Sequence, residues 1–194
     1  MAGGGNWSQV VGRIRVPLGF VFAAIYLCFA RPTWYSLAAG GSMAAAGLIL
    51  RAAASGYVRK NAELATGGPY AYTRNPLYLG SAIIALGFAG AARNGWIFLL
   101  VAALFLAVYL PVIRAEERFL EERFPEYRAY AERVPRLGFK LAGAQKGGEG
   151  FSLRLYWQHR EYNAVLGAVL MLGALVAKMH WWARLFPQMM RPAR

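Results

Sequence analysis

The chain has 194 residues, 58% of them hydrophobic and only 16% charged, yet its formal net charge is +13 at pH 7. That length makes one domain the default, and the composition is far from that of an ordinary soluble domain. The positive charge must then collect in loops between apolar spans, whereas a soluble nucleic-acid binder carries such charge without long uncharged runs, so nucleic acid is not an expected partner.

The stretch from Met1 to Gln9 is small and polar, and Arg13 and Arg15 precede an apolar run from Val16 to Ala30. In outline this is a signal peptide. The run passes through Arg31-Pro32 straight into a second span, however, with no clear small-x-small cleavage site. It reads as a retained anchor. The second uncharged run, Pro32–Leu50, is crowded with small residues between Ala38 and Gly47, which lets neighbouring backbones approach closely. Asn75–Ala92, Asn94–Ile113 and Tyr162–Ala177 complete a set of five. A helix needs about 20 residues to cross about 30 Å of hydrocarbon. The shorter runs gain length when a flanking arginine or lysine snorkels. None alternates as a membrane barrel strand would. The expectation is an all-α fold: a polytopic membrane protein of about five transmembrane helices, since lipid leaves the backbone no other way to pair. Trp34, Tyr35, Trp96, Trp181 and Trp182 fall near span ends, as an aromatic belt would.

Arg31-Pro32 and Arg93-Asn94-Gly95 are links short enough to force antiparallel hairpins. Longer polar segments run from Arg51 to Arg74 and from Arg114 to Glu161, and they hold most of the lysine and arginine. The positive-inside rule puts the N-terminus and both long loops in the cytoplasm, with the chain in the cell inner membrane. A fully crossing last span would leave Lys178, Arg184, Arg191 and Arg194 outside; a re-entrant last span is the alternative. Gly143 to Gly150 reads as a flexible connector. It divides a membrane core, residues 1–142, from an additional interfacial and C-terminal membrane helix, residues 151–194, with Ser152 as a possible cap. Cys28 stands alone, and His159 and His180 lie far apart without acidic neighbours, so neither a disulfide nor a metal site is expected.

Three stretches have the residue types for chemistry. Asn75-Pro76 is a helix start: the residue before proline is pushed out of helical geometry, and proline suits the first helical position. The free amides there can hold a carboxylate, and Arg74 beside them is a bidentate donor for the same group. Alternatively this is an ordinary cap with a snorkelling arginine. Gly67, Gly68 and Pro69 form a turn that brings Tyr70 and Tyr72 to the same entrance. They are not a dinucleotide fingerprint, because no strand precedes them. Continuing the fourth span at helical spacing puts Tyr109, Ile113, Leu120 and Phe124 on one face, interrupted by Glu116 and Glu117. Carboxylates on an apolar face need partners. Arg114, Arg118 or Arg123 along the helix would serve; so would a cofactor's ammonium or ribose hydroxyls, and spacing leaves both open. Glu121 and Glu122 read as a solvated face. Tyr127 and Tyr130 share one face of a short helix.

In order, Gly68-Pro69-Tyr70, Arg74-Asn75-Pro76-x-Tyr78-x-Gly80, an apolar hairpin, Glu116-Glu117-x-x-Leu120, Tyr127-x-x-Tyr130 and Val134-Pro135-Arg136 resemble the isoprenylcysteine carboxyl methyltransferase family and the related phospholipid N-methyltransferases. The resemblance covers about Leu64 to Leu137. It implies an integral membrane methyltransferase that uses S-adenosylmethionine, bound in a cytosolic pocket between the third helix and the Glu-Glu helix. Gly68, Pro69, Tyr70, Arg74, Asn75, Pro76, Tyr78 and Gly80 would form one wall of it. Glu116 and Glu117 would form the other, with Tyr127, Tyr130 and Arg133 as a lid. Arg74, Asn75 and Glu116 would stand nearest the reaction. That family often has histidine where this chain has Asn75, and asparagine can hydrogen-bond but not titrate. The implied acceptor is lipophilic: the carboxylate of a prenylcysteine-like compound, or a lipid amine or thiol. An NADPH-dependent membrane reductase resembling the same helical core is one alternative. A non-enzymatic membrane protein whose Glu-Glu pair only forms salt bridges is the other.

Overall fold

The computed structural model describes residues 21–59, 62–140 and 150–185, the side chains of 182–185 excepted. The expected start of the first span at Val16, Arg13 and Arg15, the connector from Gly143 to residue 149, the Trp182 side chain and the tail beyond Leu185 lie outside the described residues. Within them the secondary structure is helical, with no strand. Helix α1 is described over residues 21–29. It is followed by α2 (Trp34–Ser55), a 3-10 turn (Gly68–Ala71), α3 (Pro76–Ala92), α4 (Gly95–Leu104), a π-helical turn (Phe105–Tyr109), α5 (Leu110–Arg123), α6 (Tyr127–Arg133), α7 (Leu153–Gln158) and α8 (Tyr162–Leu185). Among the described residues three helices are long and apolar enough to cross a membrane, Trp34–Ser55, Gly95–Arg123 and Tyr162–Trp181; Pro76–Ala92 is apolar but shorter. The chain is an integral membrane protein by that measure.

Helix α2 starts where Thr33 and Ser36 cap each other reciprocally: Ser36 N donates to Thr33 Oγ1 at 3.3 Å and Thr33 N to Ser36 Oγ at 2.9 Å. It runs through Arg51 to Ser55, past the end of its uncharged stretch at Leu50. The small residues of α2 meet α3 backbone to backbone. A Cβ on Gly40 would sit 2.3 Å from Gly87 O, and one on Gly47 would sit 2.6 Å from Gly80 O. The expected tight hairpin follows α3. Arg93 closes the helix in the left-handed region (φ 49°), and Asn94 Oδ1 accepts from Trp96 N at 2.9 Å to start α4.

The fourth span is continuous from Gly95 to Arg123 but not uniform. Pro111 has no N–H to give to the preceding turn, and its ring crowds the carbonyl four residues back. The π-helical turn sits immediately before it, a place where such bulges relieve the ladder. Helix α8 carries Lys178 inside an apolar stretch. Its Nζ donates to the carbonyls of Leu27, Cys28 (3.0 Å) and Ala30 (2.8 Å), the unpaired end of α1. That docking lets α8 continue past Ala177, where the uncharged run ends. Around it Tyr26, Leu37, Ala91, Ile97 and Leu175 form a buried cluster. Trp34, Tyr35, Trp96 and Trp181 are exposed at this end, with Trp34 edge-on to His180. The opposite end gathers the close of α2, the start of α3, the close of α5 and the start of α8.

Candidate functional site

The site is built on the turn before α3. Gly68 has φ 54°, and a Cβ there would lie 2.4 Å from the Tyr57 ring, so only glycine fits. The chain after it is clasped from the far side: Arg74 N donates to Pro135 O at 2.9 Å and Lys140 N to Tyr72 O at 3.1 Å. Tyr130 Oη donates to Tyr70 O at 2.7 Å across the same clasp. Tyr127 and Tyr130 are buried here with Val134, packed against Leu64, Leu120 and Phe124.

Asn75 is the N-cap residue of α3, with φ −126° and ψ 57°, and Pro76 follows it as the first helical residue. Its side chain does not cap, however. Nδ2 donates instead to Glu117 Oε1 at 3.0 Å and to Arg136 O at 3.1 Å. The first turn of α3 therefore receives no cap from the Asn75 side chain.

The two glutamates divide. Glu117 is buried, and it accepts from Asn75, accepts from Arg136 Nε at 2.7 Å and lies 3.7 Å from Arg74 Nε. Its partners come from two other segments and not from the in-helix Arg114, Arg118 or Arg123. Glu116, one residue earlier, is exposed, and its Oε2 accepts from Tyr78 Oη at 2.8 Å. Glu121 is on the solvated side as expected, paired with Arg128 at 2.7 Å.

Between these walls lies a cavity of about 550 Å³, lined by Arg51, Tyr70, Arg74, Asn75, Leu77, Tyr78, Ser81, Tyr109, Glu116, Phe119, Tyr127 and Tyr130 among others. Of the sequence-derived set, Tyr70, Arg74, Asn75, Tyr78, Glu116, Tyr127 and Tyr130 meet here. The two tyrosines of α6 form buried wall rather than a lid. Glu117 lies behind Arg74, in a second cavity of about 500 Å³ that shares Arg74 and Tyr127 with the first. Arg133 is exposed, donates to Ala129 O of its own helix and borders a smaller depression with Thr66 and Val134. Gly68, Pro69, Pro76 and Gly80 shape the backbone without lining the cavity; a Cβ on Gly80 would strike the Arg51 stem.

Arg51, Ser81 and Tyr109 also line the cavity, and the sequence reading assigned none of these three to the site. Arg51 is held by Glu161 (Nε to Oε2 3.0 Å, Nη2 to Oε1 2.8 Å) and also donates to Leu77 O and Ser81 Oγ. Ser81 and Tyr109 are the other two; Tyr109 lies on the π-helical turn, edge-on to Tyr78 with centroids 5.9 Å apart. Arg51 and Glu161 each stand at the border of an apolar run, which was the available signal.

Burial pushes the phenols of Tyr70, Tyr127 and Tyr130 above their usual range. Glu116 adds to this at Tyr70, the Tyr127 phenol adds to it at Tyr130, and Glu117 adds to it at Tyr127 against the opposing charge of Arg74. These hydroxyls stay protonated near neutral pH and are not bases there; Tyr130 donates to Tyr70 O. Thr73 Oγ1, Arg74 Nε and Tyr127 Oη are buried without a hydrogen-bond partner. Among the described residues no group of three or more histidine, cysteine or acidic side chains is placed to hold a metal ion.

A family profile described as phospholipid methyltransferase matches residues 23–127, more than half of the chain. The chain belongs to the phospholipid methyltransferase family. For this family member the match runs from α1 through α5 to Tyr127, and so takes in most of the cavity. The chain is 35% identical over 135 residues to the cobalt-zinc-cadmium resistance protein CzcN of Cupriavidus metallidurans, covering 64% of this chain and 61% of that protein. It is 36% identical over 77 residues to the nickel-cobalt-cadmium resistance protein NccN of Alcaligenes xylosoxydans xylosoxydans, covering 40% of this chain and 36% of that one. It thus spans less than two thirds of the length of either relative. No solved structure matches significantly.

Proposed function

We propose that this family member is a membrane methyltransferase that moves a methyl group from S-adenosylmethionine to a lipophilic acceptor in the 550 Å³ cavity. The observation that carries this reading is the pairing of opposite charges across the cavity. Arg74 and the N-terminus of α3, which the Asn75 side chain does not cap, stand on one side, and Glu116, steered by Tyr78, on the other. S-adenosylmethionine carries a carboxylate for the first wall and an ammonium and sulfonium for the second. The buried Tyr127 hydroxyl, without a hydrogen-bond partner, and Arg74 Nε, held only by its 3.7 Å ion pair with Glu117, are groups that a polar ligand would complete. The volume lies in the range of about 300–1,000 Å³ usual for such ligands.

When bound, the donor supplies an electrophilic methyl group for in-line displacement. The chain's part is to orient it and to keep water away. Arg74 and the N-terminus of α3 anchor one end; Glu116 fixes the charged centre. An acceptor carboxylate needs no base. A lipid amine or thiol would give its proton to Glu116, since the buried tyrosines are held neutral. Leu77, Tyr109 and Phe119 make part of the wall apolar, which suits an acceptor arriving from the bilayer.

In this reading five helices cross the cell inner membrane, with the cavity facing the cytosol. Residues 1–142 form the core, 143–150 a connector and 151–194 an added membrane helix. The relatives' names tie them to metal resistance; we place this chain's chemistry on the lipid phase rather than on a metal. Purified protein given S-adenosylmethionine with a labelled methyl group and a total membrane lipid extract should label a lipid fraction. Label that stays with the donor across every fraction would remove the reading.

A further inference from the structure

The second cavity is not used by the reaction proposed above. It measures about 500 Å³ and is lined by Arg74, Arg114, Arg118, Arg128 and Arg136 against Glu117, Glu121 and Glu132. Two of the three carboxylates are already engaged: Glu117 by Arg136 and Arg74, Glu121 by Arg128. Arg114 and Arg118 meet no carboxylate among the described residues. They stand one turn apart on one face of α5, so their guanidinium groups share one opening.

Their position along the helix matters as much as their charge. The span from Gly95 to Ile113 has no charged residue, and Arg114 is the first that follows it. Just before it, Pro111, on the same helical face as Arg114 and Arg118, is exposed. The cations of the cavity therefore sit at the end of the apolar span, where hydrocarbon gives way to headgroups. Arg136, about half exposed, adds a third guanidinium at the same opening. Planar guanidinium forks match phosphate oxygens, and cationic side chains at this depth attract anionic lipid.

We propose that this cavity is a docking site for the headgroup of an anionic phospholipid, held through its phosphate by Arg114 and Arg118 with Arg136 behind them. The lipid binds beside the methyl-transfer cavity, not in it, and the shared Arg74–Tyr127 wall separates the two. It secures the α5–α6 cap to the bilayer surface. The proposal does not depend on which methyl donor the first cavity takes.

The test titrates the purified full chain in nonionic detergent with short-chain phosphatidylglycerol, with phosphatidylcholine of the same chain length and with inorganic phosphate, followed by calorimetry. Phosphatidylglycerol should bind at least about tenfold more tightly than either of the others. The Arg114→Gln/Arg118→Gln chain should lose about tenfold of that affinity. An Arg123→Gln/Arg154→Gln chain removes the same charge from exposed positions outside the cavity and should not change. Circular dichroism checks the helix content of both variants. Equal binding of phosphatidylcholine, equal binding of free phosphate, or equal losses in the two double variants would each overturn the proposal.

Discussion

Glu116 and Glu117 are neighbours in sequence with different work to do. Glu117 is 6% exposed and surrounded by Arg74, Asn75 and Arg136, so it ties the start of α3 to the segment after α6. Glu116 is exposed to the cavity and touches Tyr78. Their neutral analogues should therefore separate stability from binding. Glu117→Gln should lower stability by about 1–3 kcal/mol, read as a lower thermal midpoint in detergent, because the amide must leave a bonded cation short of an acceptor. Glu116→Gln should leave the midpoint within about 0.5 kcal/mol of wild type yet weaken S-adenosylmethionine by about tenfold, or about 1.4 kcal/mol. If the two variants behave alike, the division of roles is wrong. Helical spacing pointed to this pair but left both readings of it open. The partners that decide, Asn75 and Arg136, are separated from Glu117 by 42 and 19 residues, so no local pattern could supply them.

At the scale of helices, two contacts position the cavity. The first is the close approach of α2 and α3. Gly40→Val would put a side chain where Gly87 O leaves 2.3 Å, so the helices must part. Overpacking of this kind costs about 1–3 kcal/mol, and a drop in thermal midpoint should report it. The second is Arg51 with Glu161, whose side chains are 22% and 11% exposed. Glu161→Ala leaves a largely buried guanidinium without its carboxylate and should destabilise by about 3–5 kcal/mol before any discount for residual solvent. The double variant Arg51→Met/Glu161→Leu should recover much of that loss; a double variant no better than the single one would argue against the pair. The small residues of α2 announced the first contact in the sequence. The second was hidden because Arg51 and Glu161 looked like ordinary span borders. The π-helical turn was hidden too, although Pro111 inside an apolar run was its trace.

At the scale of the molecule, patterning of apolar runs was enough for an all-helical membrane protein with tight links at Arg31-Pro32 and around Arg93. It misjudged where helices end, since α2 passes Arg51 and α8 passes Lys178. Both charges find partners across the bundle, which a count of uncharged residues cannot foresee. The ordered motifs between Leu64 and Leu137 led to the right family, while Arg51 was left out of the site because it precedes them, and Ser81 and Tyr109 because they lie in the apolar hairpin between the polar motifs. Everything proposed for the reaction depends on S-adenosylmethionine entering the Arg74–Glu116 cavity. The most direct measurement is calorimetric titration of the purified full chain with that cofactor, beside a parallel titration with NADPH. Saturable S-adenosylmethionine binding is expected with a dissociation constant below about 1 mM, weakened about tenfold by Arg74→Gln, with no competing NADPH binding. No S-adenosylmethionine binding at about 1 mM cofactor, or tighter binding of NADPH, would contradict it.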